Sequence, residues 1–335
     1  MLKSHSISLI RLIAMLMIIT CHILQGLSSS WAFWFNIGVQ IFLIISGYLY
    51  GSKNVTSTKE FYIKQIKKIL VPYLVLAVII FTLEAIFLNK RYSITLMLGS
   101  LLGFGGVAGN SKILSHTWYI TYILICYLLI PLLQRIFNSD NFKQNAKNFM
   151  LLTIFIQALE FFDVINVKAC WINTFIFGYA YKRCCKQIKE QRLTKIAVFV
   201  LFVVSFPFAV ILQEKINVSL PSIFNTYSKY IMNYGHVILG AVLFILLFDI
   251  FERIKLKENV ILKLSDKYSY YIYLIHQIFI LNSFSLLKLT NYLSINILII
   301  LLTTIVSAIT LKYISDIVLK LVDKTTKFKL VKENK

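Results

Sequence analysis

A chain of 335 residues that is 58% hydrophobic and only 15% charged, with a mean hydropathy of +0.76, is excluded from the ordinary soluble globular class. Its formal charge of +21 would suit nucleic acid, but Lys and Arg clustered at alternate helix ends are what membrane topology and anionic headgroups already require. Membrane lipids are therefore the expected partners of that charge, and nucleic acid is not.

Apolar stretches close to the roughly 20 residues that cross a bilayer recur along the chain. They fall at about 7–25, 32–50, 70–88, 117–137, 149–162, 169–181, 196–212, 230–251, 268–287 and 295–313. The sequence thus predicts an all-α, polytopic membrane protein, a single integral membrane domain over 1–335 with about ten transmembrane helices around a central polar cavity. Placing the amino terminus in the cytoplasm gathers most of the basic residues at inner helix ends. Only Lys90, Arg91, Lys112, Lys168, Lys215, Lys229 and Lys288 then lie outside. That asymmetry obeys the positive-inside rule and puts both termini in the cytoplasm. A cleaved signal peptide is a poor reading of the first stretch, because Arg11 interrupts it and further spans follow.

The first span carries Arg11 and His22 in RLIAMLMIITCH. Both are costly to place in hydrocarbon, so each must face protein or water, which makes the pair a functional-site candidate. Eleven helical steps return His22 to within about 20° of Arg11, on one stripe, roughly 16 Å further along the axis. The plainer alternative is that Arg11 snorkels to the headgroups and His22 bonds a neighbouring helix.

The second span reads GVQIFLIISGYLYG, where Gln40, Ser46 and Gly47 interrupt an apolar segment. Small residues there permit close helix contact, and Gln or Ser usually bonds across to another helix. Ser46 has no base nearby in sequence and reads as packing unless the fold brings His22 beside it. The connection at 89–116 contains LMLGSLLGFGGVAGN, which suits either a re-entrant segment covered by protein or an interfacial helix with a loop.

SHTWYITYILICYLLIP opens the fourth span, placing His116, Trp118 and Tyr119 near the outer surface. Tyr and Trp favour that belt; the belt does not explain His116, which suits binding a sugar or lining the mouth of a cavity. The ninth span, YSYYIYLIHQ, holds Tyr270, Tyr273 and His276 well inside apolar sequence, with 273 and 276 on one face. Carboxylates are scarce: Glu84, Glu160, Asp163 and Asp249 lie in or near spans, and too few stand in series for a proton relay. The five cysteines show neither a disulfide framework nor metal-ligand spacing, so no metal is expected. The adjacent Cys184 and Cys185 suit lipid attachment less well than apolar filling.

Taken in order, the Arg11/His22 spacing, GVQIFLIISGYL, HTWY and YSYYIYLIH resemble the membrane-bound acyltransferase-3 family over nearly the whole chain. The resemblance implies transfer of an acyl group, mostly acetyl, from cytoplasmic acyl-CoA to a hydroxyl of a bacterial surface glycan or lipid-linked glycan. It implies Arg11 and His22 as the essential pair, Ser46, Trp118 and His276 as pocket residues, and a multi-pass plasma-membrane location. With Gln40, His116, Tyr119 and Tyr273 these make up the expected substrate pocket. Acetyl-CoA enters as donor substrate, with no permanently bound cofactor. Two departures stand out: TWYITYILICY lacks the acidic residue that several members carry after the tryptophan, and the outer hydrolase-like domain that some members carry is not expected from the short basic stretch after the last span.

Chemically, His22 fits the base that takes the hydroxyl proton, since imidazole titrates near neutrality. The Arg11 fork fits the phosphates of the donor. Its distance from His22 is close to the length of a pantetheine arm. The competing classes are a polysaccharide exporter, which would move a glycan without changing its mass, and a membrane-embedded sensor, which would need no acyl donor.

Overall fold

A computed structural model describes residues 5–102, 112–162, 164, 167–190, 222–254, 257 and 259–333. Among these residues there is no strand, and the helices fall into two compact units. The span expected at 196–212 lies outside the described residues. Five helical segments among those described are long and apolar enough to cross a membrane: His5–Gly26, Ala32–Gly51, Thr58–Leu88, Ile113–Ile136 and Leu293–Lys324.

The first unit comprises residues 1–56 and 129–266. Its described elements are α1 (His5–Gly26), α2 (Ala32–Phe35), α3 (Ile37–Gly51), the last turns of α6 (Trp118–Ile136), α7 (Phe142–Phe161), α8 (Ala169–Glu190), α9 (Ser222–Ile254) and the first turns of α10 (Val260–Ile280). Asn36, between α2 and α3, keeps helical dihedrals (φ −62°, ψ −19°), so the two run on as one apolar rod. Ile10, Ala14, Ile41, Ile44, Phe244 and Phe248 meet in the core of this unit.

Water-driven burial cannot join helices inside lipid; close backbone contact does so instead. Gly47 and Gly51, one turn apart on α3, lie directly against α8. A Cβ on Gly47 would sit 2.0 Å from the Phe175 carbonyl oxygen, and one on Gly51 would sit 2.7 Å from that of Tyr179. Gly178 reciprocates, with a Cβ there meeting the Ile44 carbonyl oxygen at 2.1 Å. Polar residues add to the adhesion. Tyr234 of α9 donates to Gln157 of α7, and Asn173 of α8 donates to Tyr234 at 3.1 Å.

The second unit comprises residues 57–128 and 267–335. It holds α4 (Thr58–Leu88), α5 (Ile94–Leu101), a 3₁₀ turn at Lys112–Thr117, the first turns of α6, most of α10 and α11 (Leu293–Glu333). Ser57 caps α4, accepting from the Glu60 amide, and Glu60 in the first turn complements the helix dipole. At 31 residues α4 is about 46 Å long, well beyond the hydrocarbon thickness. The basic run Lys59 to Lys68, expected in an inner loop, is in fact the helical extension of this span.

The connection after α4 turns sharply at Asn89, whose φ of 49° is left-handed. The Tyr73 hydroxyl, halfway along α4, donates to the Ser100 carbonyl at 2.6 Å. The end of α5 therefore lies beside the middle of α4, about 22 Å back from Leu88, and Ser100 is fully buried. Residues 94–101 thus double back along α4, while 103–111 lie outside the described residues. Glu84, buried within α4, anchors the entry to this segment. Lys90 donates to one carboxylate oxygen at 2.6 Å and Tyr92 to the other at 2.5 Å. Burial foremost, and then the Glu84 carboxylate, push the Tyr92 hydroxyl well up, so it stays a donor.

Candidate functional site

The ionisable groups singled out in the sequence gather in two places, one in each unit. In the first unit α1 is unbroken from His5 to Gly26, so Arg11 and His22 stand roughly 16 Å apart along it. Ser8 and Arg11 share a face, and both reach the carboxylate of Asp266 at the start of α10. Ser8 Oγ donates to Oδ2 at 2.6 Å and the Arg11 guanidinium donates to Oδ1. Side-chain exposure is 18% for Arg11 and 9% for Asp266, too little for solvent screening to dissipate the attraction. Arg11 thus has a carboxylate partner, engaged through one terminal nitrogen of a fork with five N–H donors.

His22 Nδ1 lies 2.8 Å from Gln25 Oε1, one turn further along α1. An amide oxygen only accepts, so this bond assigns the proton to Nδ1 and makes Nε2 the accepting nitrogen of the ring. A base needs that tautomer if it is to take a proton through Nε2.

Gln40 is 1% exposed, with its amide nitrogen turned to the carbonyls of Asn36 (2.9 Å) and Ile37 (3.2 Å). Its Cβ packs where Gly240 of α9 leaves room. The bond across to another helix, expected for this residue, is replaced by bonds to its own helix. Ser46 is half-buried. The register of α1 on α3 is antiparallel and is set by Gly38, which abuts Ala14, Met17 and Ile18. Eight residues beyond Gly38, about 12 Å further along α3, Ser46 is level with Ser8 and Arg11 and not with His22.

In the second unit the 3₁₀ turn delivers His116 onto α10. Its Nε2 lies 3.0 Å from the Leu274 carbonyl, which assigns a proton to that nitrogen, and the Tyr273 hydroxyl donates to the His116 carbonyl at 2.5 Å. The His116 and His276 rings are 5.5 Å apart edge to face, and Tyr119 packs on Tyr273 at 5.3 Å. His276 Nδ1 faces the Tyr273 carbonyl at 2.7 Å, and Trp118 packs edge-on against Tyr122 at 5.5 Å. His116, Trp118, Tyr119, Tyr273 and His276 therefore form one imidazole–aromatic assembly. His116 is only 4% exposed, which places it inside this cluster and not at a mouth open to water.

Three residues escaped the sequence reading. Asp266, in KLSDKY, was hidden among basic neighbours that read as a loop. Gln25, at the exit of the first span, follows His22 at the helical spacing i, i+3, which was the signal available. His236 lies in the apolar run of α9, 4% exposed, its ring 4.1 Å from that of Phe33; a third intramembrane imidazole was visible as such.

The family model described as an acyltransferase domain, of the acyltransferase-3 type, matches residues 4–312. No curated protein and no solved structure matches the chain.

Proposed function

Since the chain belongs to the acyltransferase-3 family and is a membrane acyltransferase, we propose that it moves an acetyl group from cytoplasmic acetyl-CoA to a hydroxyl of a bacterial surface glycan or lipid-linked glycan. The observation that carries the chemistry is His22, oriented by Gln25 so that Nε2 accepts. Nε2 takes the acceptor hydroxyl proton as the oxygen attacks the thioester carbonyl. The new C–O bond forms, the C–S bond breaks, and the resulting imidazolium returns the proton to the departing thiolate.

Arg11, fixed by Asp266 and Ser8, presents its remaining N–H donors to the phosphates of the donor. An ion pair already formed costs the donor less ordering than a loose arginine would. The separation along α1 lets the donor's phosphates stay at one station while the pantetheine arm reaches the other. Half-buried Trp118 offers its face to a sugar ring, and the buried His116, Tyr119, Tyr273 and His276 pack behind it and hold it. In this reading the protein sits in the bacterial plasma membrane with both termini in the cytoplasm.

The test is acetyl transfer by purified protein in vesicles, supplied with labelled acetyl-CoA and delipidated or intact cell-envelope glycan. His22→Ala lowers the rate by about 10² to 10⁴-fold, the range of a positioned base. Wild-type protein that neither releases CoA nor adds an alkali-labile acetyl mass to any envelope fraction would overturn the reading.

A further inference from the structure

Between α4 and α6, within the second unit, a cleft of ≈ 190 Å³ is lined by Tyr62, Ile66 and Leu70 on one side and Leu124, Ile125 and Leu128 on the other. An apolar space of this size stays dry and takes hydrocarbon guests. Ile66 and Leu128 are 40% and 52% exposed, and both helices are long and apolar enough to cross a membrane, so the cleft opens on the surface that lipid covers. An acyl chain is the hydrocarbon at hand.

From Tyr62 to Leu70 the α4 wall runs about 12 Å, against about 15 Å for the hydrocarbon of one leaflet. One chain of one leaflet therefore fills it. At the shallow end the Tyr62 hydroxyl donates to the Leu128 carbonyl at 2.8 Å and ties the helices together. At the deep end lie Thr121 and Leu102, the latter just past α5. A chain in the cleft thus touches the segment that doubles back along α4.

The shallow end leads to the lysines of α4. Lys59 lies three residues before Tyr62, about 5 Å further out, and seven before Ile66, a spacing that returns it to within about 20° of Ile66 on the stripe facing the cleft. It is exposed and makes no ion pair among the described residues. Glu60, the next residue, is about 100° further round the helix. Lys64, Lys320 and Lys324 are exposed at this same end, where Asp323 is taken by Lys67 at 2.7 Å. A hydrocarbon slot with a cation at its mouth matches a lipid with a net negative headgroup, the kind that basic pockets between membrane helices hold.

We propose that this cleft is a binding site for an anionic phospholipid, with one acyl chain between α4 and α6 and the phosphate on Lys59. The lipid is a bound component of the second unit, and the proposal needs nothing from the acyl-transfer reading.

The experiment uses full-length protein in phosphatidylcholine nanodiscs doped with a tracer lipid carrying a diazirine in one acyl chain. The tracer is phosphatidylglycerol, phosphatidylcholine or monoglucosyl diacylglycerol. Adducts are mapped by mass spectrometry on Ile66, Leu124, Ile125 and Leu128, and on the exposed Leu302 and Ile305 of α11 as the measure of passing lipid. Relative to α11, phosphatidylglycerol is expected to label the cleft about fivefold more than phosphatidylcholine, the gain that one lysine beside an anionic headgroup supplies. Lys59→Gln, an exposed change with little risk to folding, removes that preference. Leu128→Trp fills the slot and abolishes cleft labelling by every tracer, whereas Leu298→Trp, on the exposed face of α11, leaves it intact. The same cleft-to-α11 ratio for phosphatidylglycerol and phosphatidylcholine, or a preference that survives Lys59→Gln, would overturn the proposal. So would a glucosyl tracer that labels as strongly as phosphatidylglycerol, because the site would then select an uncharged headgroup.

Discussion

Arg11 and His22 differ in what holds them, and that difference decides how each responds to substitution. Asp266 accepts from both Arg11 and Ser8 in a half-dry setting. Removing one charge there leaves the other unpaired, which costs about 3 kcal/mol or more. Asp266→Ala should therefore lower the unfolding midpoint in detergent more than the double change Asp266→Leu with Arg11→Met; equal losses would show that the pair is not coupled. Gln25 acts on His22 through a single bond of 2.8 Å. Gln25→Ala should lower kcat about tenfold, the rate equivalent of one ordinary hydrogen bond, with KM for the donor unchanged. Gln25→Glu keeps an acceptor and should restore most of the rate. A Gln25→Ala enzyme with full kcat would dismiss the tautomer argument. The stripe carrying Arg11 and His22 was legible because helical periodicity alone places it. Asp266 was not, because a carboxylate more than 250 positions away in a basic stretch gives no local sign of its partner.

At the level of elements, the α3–α8 seam depends on the absence of side chains. Gly47→Ala would drive a methyl group into the Phe175 carbonyl, a backbone obstacle that no rotamer change relieves. A loss of about 1–3 kcal/mol follows from such overpacking, read as a lower thermal midpoint. Gly235 of α9 is the contrast, with nothing within 4 Å of its would-be Cβ. Gly235→Ala should be neutral or stabilising by up to about 1 kcal/mol, since alanine is the better helix former. A Gly47→Ala protein as stable as Gly235→Ala would refute the seam. The sequence announced that small residues near Gly47 allow close contact, yet it could not name α8 as the partner, since three glycines must first be folded into register. The re-entrant α5 was ambiguous for a related reason. Its apolar length suits an interface as well as a dip, and sequence alone does not show that the segment folds back to the middle of α4, where Tyr73 bonds Ser100.

Over the whole molecule, the governing constraint is that lipid replaces water around most of the helical surface. Ile86, Phe87, Leu298, Leu302, Ile305 and Val306 are exposed, an arrangement that would aggregate in water and is satisfied in a bilayer. Charge then sets direction. Fold class followed from hydropathy because each span reports on itself, whereas the assignment of residues to one compact unit or the other depends on pairings far apart in sequence, such as 57–128 with 267–335. In the proposed topology the basic extension of α4 and the lysines of α11, with Lys67 paired to Asp323 at 2.7 Å, face the anionic inner side, as the positive-inside rule asks, and Lys90 and Lys288 face the outer one. Single cysteines at 90 and 288, in a background with the native cysteines replaced by alanine, should react with a membrane-impermeant maleimide in intact cells. Cysteines at 59, 143 and 320 should react only after the membrane is opened. Labelling of position 59 or 320 in intact cells would reverse the topology. The Arg11 station would then face away from the cytoplasm, and a cytoplasmic acyl donor could not reach it.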